Sequence, residues 1–222
     1  MAPATSPSYS QTLALYLGGL RILVHRLWVK VFGSSEPPSI AWRDRRILLV
    51  GLDGSGKSSL VRRAADSTAA LDAQVAPTRG FAVHTVNVLP DWHCELWEIG
   101  GAANMRPYWP RYATYETEGV AWVVDGADVA RLGESARALA ELYRGAPILR
   151  SLPLLILVTK TDAPEPLMSA EAAAQGLALE ALAASGACSG PRKVYAVSAA
   201  DGRGLEQSLR WVCGGGQEEE RT

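Results

Sequence analysis

The segment Gly51–Ser58 has the residue types and spacing of a loop that holds phosphate groups. It reads G-L-D-G-S-G-K-S, which fits G-x-x-x-x-G-K-[ST], and it directly follows the apolar run Ile47–Val50. In a loop of this kind, backbone N–H groups and the positive end of a helix dipole point at one concave spot. The lysine reaches the phosphates as a point charge, and the serine hydroxyl suits Mg²⁺. The residues expected to contact phosphate are Asp53, Gly54, Ser55, Gly56, Lys57, Ser58 and Ser59.

Strand-like apolar runs alternate with helical patterns along the rest of the chain and must position this loop. Strands are predicted at 46–50, 120–125, 154–158 and 193–197, and helices from 57 onward and near 136–143, 170–177 and 205–212. This alternation is typical of an α/β fold with a mostly parallel sheet between helices. The runs 81–89 and 92–99, separated by Pro90 and Asp91, predict a β-hairpin. Ligands of such sheets bind at the carboxyl ends of the strands, where the loop lies.

The composition fits one globular domain with an N-terminal arm. The chain has 222 residues, of which 48% are hydrophobic, so it is long enough to bury a proper core. Lys and Arg number 22 against 23 Asp and Glu, and this balance gives no reason to expect nucleic acid as a partner. The three cysteines, Cys94, Cys188 and Cys213, are scattered and have no metal-ligand spacing with the histidines. We therefore expect a reducing, cytoplasmic location.

The arm contains an apolar segment, 9–32, that basic residues interrupt too often for a membrane span. Read as a helix, it places one apolar stripe at the i, i+3, i+4, i+7 spacing, made of Tyr16, Leu17, Leu20, Leu23, Val24, Leu27, Trp28 and Val31. This amphipathic helix suits contact with a membrane surface, and it equally suits docking on its own domain. A signal peptide fits less well, because no basic region precedes the apolar segment. The run 33–38 is predicted to be a linker.

Four further segments extend the pattern beyond the phosphate loop. They are Pro77-Thr78-Arg79-Gly80-Phe81, Trp97-Glu98-Ile99-Gly100-Gly101, Thr159-Lys160-Thr161-Asp162 and Ser198-Ala199-Ala200. With the loop they resemble the five motifs of a small GTPase. The forms G-L-D-G-S-G-K-S, P-T-R-G-F, W-E-I-G-G and M-R-P-Y-W are similar to those of the Arf and Arf-like (ADP-ribosylation factor-like) family, from about Trp42 to Val212.

This resemblance implies a P-loop small GTPase fold that binds GTP or GDP with Mg²⁺. The expected fold is a six-stranded, mostly parallel sheet with one antiparallel strand, flanked by helices and preceded by the amphipathic helix. Its domains would be the arm at 1–41, the GTPase domain at 42–213 and a disordered acidic tail at 214–222. Ser58 and Thr78 would bind the metal, and Thr78 and Gly101 would meet the γ-phosphate through backbone N–H groups.

The base-recognition residues implied by the resemblance are Thr159, Lys160, Asp162, Ser198 and Ala199. Asp162 would accept two hydrogen bonds from the guanine N1–H and 2-amino groups, which adenine does not offer. Lys160 would pack along the base. Thr159 stands where the family usually has asparagine, a form that resembles that of Rho-type GTPases. The backbone of Ser198 and Ala199 would meet guanine O6.

Two departures from the family pattern bear on catalysis. Ala102 occupies the position of the glutamine that orients the attacking water, and a methyl group cannot align water, so no catalytic residue is assigned. Glu98 replaces the usual aspartate, and its longer side chain reaches the metal region differently, which predicts altered Mg²⁺ dependence. Arg79 is expected to be a solvated switch residue rather than an arginine finger. Slow intrinsic hydrolysis follows from Ala102.

The function expected from these features is a monomeric, GTP-dependent switch in intracellular or ciliary membrane trafficking. Effectors would bind through the switch regions, on a surface carrying Tyr108 and Trp109 that forms when Phe81, Trp97 and a helix predicted across 105–115 rearrange. These aromatic side chains fit the core equally well, and burial is favoured for Trp97 and Trp122, which alternate within strand patterns. An exchange factor and an activating protein would drive the cycle. The N-terminal helix would place the protein peripherally on an intracellular membrane or cilium. The alternative is a pseudo-GTPase module that holds GTP without turnover. An ATP-dependent kinase or transferase is disfavoured by Asp162 and by the short chain.

Overall fold

The strands come from the apolar runs that the sequence marks out. The computed structural model describes residues 43–66, 68, 76–89, 92–163 and 168–217. Within these ranges the strands are β1 (Arg43–Gly51), β2 (Phe81–Leu89), β3 (Trp92–Ile99), β4 (Thr117–Asp125), β5 (Leu154–Thr159) and β6 (Arg192–Ala196). Every residue of β5 is buried, as expected for a strand covered on both faces.

Helices connect the parallel strands. The α-helices of the described ranges are α1 (Lys57–Ala65), α2 (Leu132–Gly145), α3 (Ala170–Gly176), α4 (Leu179–Ala184) and α5 (Leu205–Cys213). Short 3₁₀ helices lie at Arg106–Tyr112, Val129–Arg131 and Pro147–Leu149. None of the helices in the described part of the chain is long and apolar enough to cross a bilayer.

The six strands form one sheet in the order β2-β3-β1-β4-β5-β6. β1 pairs in parallel with β3 and β4, β4 with β5, and β5 with β6, whereas β2 pairs antiparallel with β3. This topology confirms the predicted hairpin and the predicted P-loop small GTPase fold. It also brings the carboxyl ends of β1, β3, β5 and β6 to one edge of the sheet, where the candidate residues lie.

Alternation along the central strands divides the core into two layers. On β4, Trp122 and Val124 belong to the layer that contains α2, and Ala121 and Val123 belong to the layer that contains α1 and α5. Trp122 is fully buried, and its indole N–H donates to Ser135 Oγ on α2 at 3.0 Å. The hydrogen bond lets a polar indole sit in the middle of the core.

The segment after Gly101 differs from its expected form. A helix was predicted across 105–115, but the structure has a 3₁₀ helix of seven residues that contains Pro110. Proline has no N–H to continue an α-helix. Trp109 was expected on the effector surface, and this prediction was wrong. Its side chain is 1% exposed, packs edge-on against Trp122, and donates its indole N–H to Gly100 O at 2.9 Å.

Both ends of the chain extend beyond the described ranges. The predicted amphipathic helix and linker lie outside them, as do residues 218–222 of the predicted acidic tail. Gly214, Gly215 and Gly216 are described, and their N–H groups donate to carbonyls of α5 at 2.8 to 3.2 Å. These hydrogen bonds close the end of α5.

Candidate nucleotide-binding site

The loop between β1 and α1 takes a shape that only small residues allow. Gly54 and Gly56 have φ values of 75° and 90°, in the left-handed region that side chains disfavour. A Cβ on Gly51 would lie 2.3 Å from Val123 O on β4, so the loop leaves the sheet in close contact with the next strand. The backbone thus curls around the start of α1, as the glycine pattern predicts for a phosphate cradle.

Lys57 lies inside this curl. It is 6% exposed, and its Nζ donates to Gly51 O at 2.9 Å and to Leu52 O at 2.8 Å. Burial lowers the pKa of its ammonium to about 8, against the opposing effect of the negative charges on Glu98 and Asp53. The loop therefore holds a buried cation whose proton would be stabilised by an anionic group brought next to it.

The remaining loop residues surround the same place. The Ser55 hydroxyl is buried and has no hydrogen-bond partner among the described residues, which suits a site that takes a polar ligand. The Asp53 side chain is half exposed. Ser59 is the third residue of α1 and is partly buried. The loop residues expected to contact phosphate are thus together at one edge of the sheet.

Three oxygen-bearing side chains from separate segments meet beside the loop. The Ser58 and Thr78 hydroxyl oxygens are 3.1 Å apart. Both hydroxyls donate to Oε1 of Glu98, the Thr78 bond at 2.8 Å. Glu98 lies near the end of β3, is 2% exposed, and its Oε2 is 3.4 Å from His84 Nε2 on β2. Hydroxyl and carboxylate oxygens are the ligands Mg²⁺ prefers, so this cluster fits the metal expected at Ser58 and Thr78.

Gly101 packs directly on the loop. A Cβ added to it would lie 2.4 Å from Asp53 N and 2.6 Å from Gly51 O, so only glycine permits this approach. The preceding Gly100 donates its N–H to Gly80 O at 2.9 Å, which connects this segment to the one carrying Thr78. The methyl group of Ala102 is exposed. Both predicted switch segments therefore contact the loop or one another.

The predicted base-recognition segment is fixed to the loop through Thr159. Its hydroxyl is buried at the end of β5 and lies 2.8 Å from Ser55 O and 3.1 Å from Val124 O. Since one hydroxyl hydrogen serves one acceptor at a time, the Ser55 contact is the better placed. A hydroxyl at this position thus sets the separation between the phosphate loop and the segment that follows β5.

Lys160, Asp162, Ser198 and Ala199 lie at the same edge, on the loops after β5 and β6. Lys160 has a left-handed φ of 59°, and its Nζ is 2.5 Å from Asp125 Oδ2. The Asp162 side chain is exposed. Ser198 is buried and caps its own turn by accepting from Ala200 N at 3.1 Å, and Ala199 O accepts from Arg63 of α1 at 2.7 Å. The structure therefore brings these residues to one side of the loop.

A network of charges around Asp53 was missed by the sequence reasoning. Asp53 Oδ1 accepts from Arg106 at 3.1 Å and from Arg131 at 2.9 Å, and both arginines also bind Glu134. The hydrogen bonds from Arg131 and Arg106 lower the pKa of Glu134 to about 2, and Arg131 lowers that of Asp53. Arg106 also donates to Gly101 O at 3.1 Å. The spacing of Arg131 and Glu134 suggests a helical pair, but nothing local predicts Asp53 as their partner.

Aromatic side chains cover the outer surface of the switch segments. Phe81 is 49% exposed, stacks on Trp97 with ring centres 5.6 Å apart, and also contacts Tyr112 at 5.5 Å. Tyr108 is 47% exposed, whereas Trp97 is only partly exposed and has the Arg46 guanidinium over its ring at 4.3 Å. This cluster is an apolar patch next to segments that contact the loop. Arg79 is exposed, as expected of a solvated switch residue.

The sheet topology, the phosphate loop and the order of the segments define a P-loop small GTPase. Comparison with known proteins places the chain more narrowly. Residues 38–215 match the model of the ADP-ribosylation factor family. This match spans most of the chain, so the protein belongs to the ADP-ribosylation factor family, as the motifs predicted.

Individual relatives agree with that assignment. ADP-ribosylation factor-like protein 3 of Chlamydomonas reinhardtii is 30% identical over 169 residues, which cover 76% of this chain and 89% of the relative. The protein of the same name from Caenorhabditis elegans is 38% identical over 136 residues, covering 60% and 69%. The Arl6 BBS3 small GTPase of Trypanosoma brucei, solved with the nucleotide analogue GppNp, superposes with a TM-score of 0.65 at 22% identity over 77% of this chain and 95% of that one. This last likeness concerns the fold.

Proposed function

We propose that this protein is a GTP-binding switch with slow intrinsic GTP hydrolysis. The observation that carries the proposal is the meeting of Lys57, Ser58 and Thr78 with Gly101 around one loop at the edge of the sheet. Lys57 would neutralise the β- and γ-phosphates, and the Ser58 and Thr78 hydroxyls would bind Mg²⁺, which supplies positive charge to the phosphate oxygens. Backbone N–H groups of the loop and of Gly101 would complete the phosphate contacts.

Guanine specificity is assigned to Asp162. Its carboxylate is exposed at the end of β5, free to accept hydrogen bonds from a base laid over Lys160. Adenine has no donor at the two corresponding positions, so binding ATP would leave the carboxylate unpaired. Thr159 supports this assignment because its hydroxyl fixes the segment to Ser55 of the phosphate loop.

Slow hydrolysis follows from Ala102. Its exposed methyl group neither accepts nor donates a hydrogen bond, so the attacking water would be placed only by the loop and the metal. The same observation favours one alternative function, a pseudo-GTPase that holds GTP without turnover and acts as a binding module. The two differ in whether an activating protein restores hydrolysis.

The aromatic patch of Phe81, Trp97 and Tyr112 is the proposed effector surface, and the exposed Tyr108 lies on the same 3₁₀ helix as Tyr112. The patch lies on β2, β3 and the 3₁₀ helix after Gly101, the elements that γ-phosphate contacts would move. An exchange factor and an activating protein would set the nucleotide state. The proposed setting is membrane trafficking, intracellular or ciliary, with the helix predicted from the N-terminal sequence contacting a membrane surface and the protein otherwise cytoplasmic and monomeric.

Single-turnover hydrolysis of bound GTP tests the switch against the pseudo-GTPase. Nucleotide released from the purified chain is first identified by chromatography, and the chain is then loaded with GTP alone or with a candidate activating protein. Turnover that rises on addition of the activating protein supports the switch. Tight GTP binding with no turnover under either condition supports the binding module, and equal binding of ATP contradicts the role of Asp162.

The variant Ala102→Gln tests the assigned cause of slow hydrolysis. We expect it to hydrolyse GTP faster than the unmodified chain, because its amide orients water. The matched control is Ala127→Gln, which adds the same side chain at another exposed loop position outside the phosphate loop. If Ala102→Gln is no faster than the unmodified chain, Ala102 is not the cause of the slow rate.

A further inference from the structure

The carboxylate of Glu98 binds both hydroxyls that the metal would otherwise bring together. Ser58 belongs to α1 and Thr78 to the segment before β2, 20 positions later in the chain. Their hydroxyls both donate to the same atom, Oε1 of Glu98. An aspartate at this position would end about 1.5 Å short, one carbon–carbon bond nearer the backbone. The additional methylene extends the reach of this β3 side chain toward both hydroxyls.

The surroundings of Glu98 keep its carboxylate in place. The side chain is 2% exposed, so it has almost no contact with solvent that would compete for its oxygens. The Lys57 ammonium lies close enough for the Glu98 charge to raise its pKa against the effect of burial. On the other side, His84 Nε2 lies 3.4 Å from Oε2. Hydrogen bonds from hydroxyls to a buried, charged carboxylate are stronger than those between neutral groups.

We propose that Glu98 fastens the first-switch segment to the phosphate loop, using only groups of the chain itself. We call the two hydroxyl bonds to Glu98 Oε1 the Glu98 latch. With the latch closed, Thr78 stays beside Ser58 without the γ-phosphate that orders this segment in a switch of the usual kind. Glu98 is thus a positioning residue that keeps Thr78 beside the phosphate loop before nucleotide binds. This regulatory meaning rests on the proposed function, whereas the latch itself does not.

Proteolysis of the nucleotide-free chain in EDTA tests the latch directly. Arg79 follows Thr78 and is exposed, so trypsin cuts after it when the segment opens. Arg203, in the exposed turn before α5, supplies an internal reference bond on another loop. Mass spectrometry measures both cleavage rates in one sample. For the unmodified chain we expect slow cleavage after Arg79 in EDTA, before any nucleotide is added.

Two substitutions open the latch from opposite sides. Glu98→Asp keeps the charge and withdraws the carboxylate, and Thr78→Val keeps the shape and removes the hydroxyl. We expect each to speed cleavage after Arg79 by about tenfold relative to Arg203, because cleavage follows the population of the open segment. The matched controls are Glu95→Asp on the same strand and Thr85→Val on β2, which leave Ser58, Thr78 and Glu98 unchanged. If Glu98→Asp does not fold, Thr78→Val decides the test.

The outcomes separate the latch from the proposed function. Equal cleavage after Arg79 in the unmodified chain and in both variants would overturn the latch, even if the chain binds GTP. Protection that depends on Glu98 and Thr78 in a chain that binds no guanine nucleotide would overturn the proposed function and leave the latch standing. Release of a fluorescent GDP gives a second readout, since EDTA should accelerate release from Glu98→Asp more than from the unmodified chain.

Discussion

The burial of Lys57 predicts that the free energy of unfolding depends on pH. Its ammonium is 6% exposed and is held by two loop carbonyls, and burial lowers its pKa from 10.5 to about 8. One pKa unit corresponds to about 1.4 kcal/mol, so the folded nucleotide-free protein disfavours the charged lysine by about 3 kcal/mol relative to the unfolded chain. The opposing charges of Glu98 and Asp53 are already included in that balance.

The sign of the pH dependence follows from the lowered pKa. Between about pH 8 and pH 10.5 the unfolded chain holds the Lys57 proton more often than the folded protein does. The free energy of unfolding of the nucleotide-free protein therefore rises with pH in this window and gains about 2 to 3 kcal/mol by about pH 10. Below pH 8 both states are protonated, and the destabilising effect of the buried charge is fully present.

Urea unfolding of nucleotide-free protein measures this effect by difference. The unmodified chain is compared with Lys57→Met at several values from about pH 7 to about pH 10. Other titrating groups are common to both proteins and cancel in the difference. We expect the unmodified chain to gain stability relative to Lys57→Met as the pH rises, because methionine has no proton to lose.

Nucleotide binding gives an independent readout of the same proton. A phosphate next to Lys57 stabilises the charged form, so binding of GDP at about pH 8 should take up about half a proton per nucleotide. Calorimetry in two buffers of different ionisation enthalpy measures this uptake. The control Lys57→Arg stays protonated and should show no uptake from this position. The reasoning would be refuted by two results together. The stability difference between the unmodified chain and Lys57→Met would not change with pH, and the unmodified chain and Lys57→Arg would take up equal numbers of protons on binding GDP.

Three further predictions follow from single contacts. Gly101→Ala should weaken binding of a fluorescent GDP more than about tenfold, because its Cβ meets backbone atoms of the loop at 2.4 to 2.6 Å, and unchanged affinity would contradict that packing. Ser135→Ala should lower the free energy of unfolding by about 1 to 3 kcal/mol in urea titrations, because the Trp122 indole N–H is left buried without a partner. Arg131→Ala should raise the pKa of Glu134 from about 2 toward its ordinary value of 4.5, as measured by NMR titration, whereas an unchanged pKa would show that Arg106 alone maintains it.

The sheet was predictable because each strand has an apolar or alternating pattern within a few neighbouring residues. Local sequence patterns of a few residues predict both the fully buried β5 and the hairpin of β2 and β3. Trp109 was not predictable in this way. A tryptophan in a short proline-containing helix reads equally well as exposed or buried, and only the position of Trp122 across the layer decides for burial. Local patterns therefore identified the elements but not the contacts between them.

In the candidate site too, the motif was predictable from the sequence, whereas the contacts between distant residues were not. The glycines, Lys57 and Ser58 lie within one motif, so the phosphate loop was visible in the sequence. The pairing of Asp53 with Arg131 joins residues 78 positions apart, and no spacing rule connects them. The approach of His84 to Glu98 depends on the antiparallel register of β2 against β3. Such contacts arise from the sheet order, which sequence patterns determine only coarsely.

Ala102 and Glu98, the two departures from the family pattern, differ in how many contacts their side chains make. Ala102 is exposed, and among the described residues only its backbone carbonyl is seen to make a hydrogen bond, so a glutamine there disturbs no packing. Glu98 is buried and bound to two hydroxyls, so shortening it breaks contacts in the folded protein. Ala102→Gln should therefore change hydrolysis without changing stability, whereas Glu98→Asp should change the first-switch segment even without nucleotide. Since both positions belong to one site, the double variant measures how strongly hydrolysis and the position of the first-switch segment are coupled.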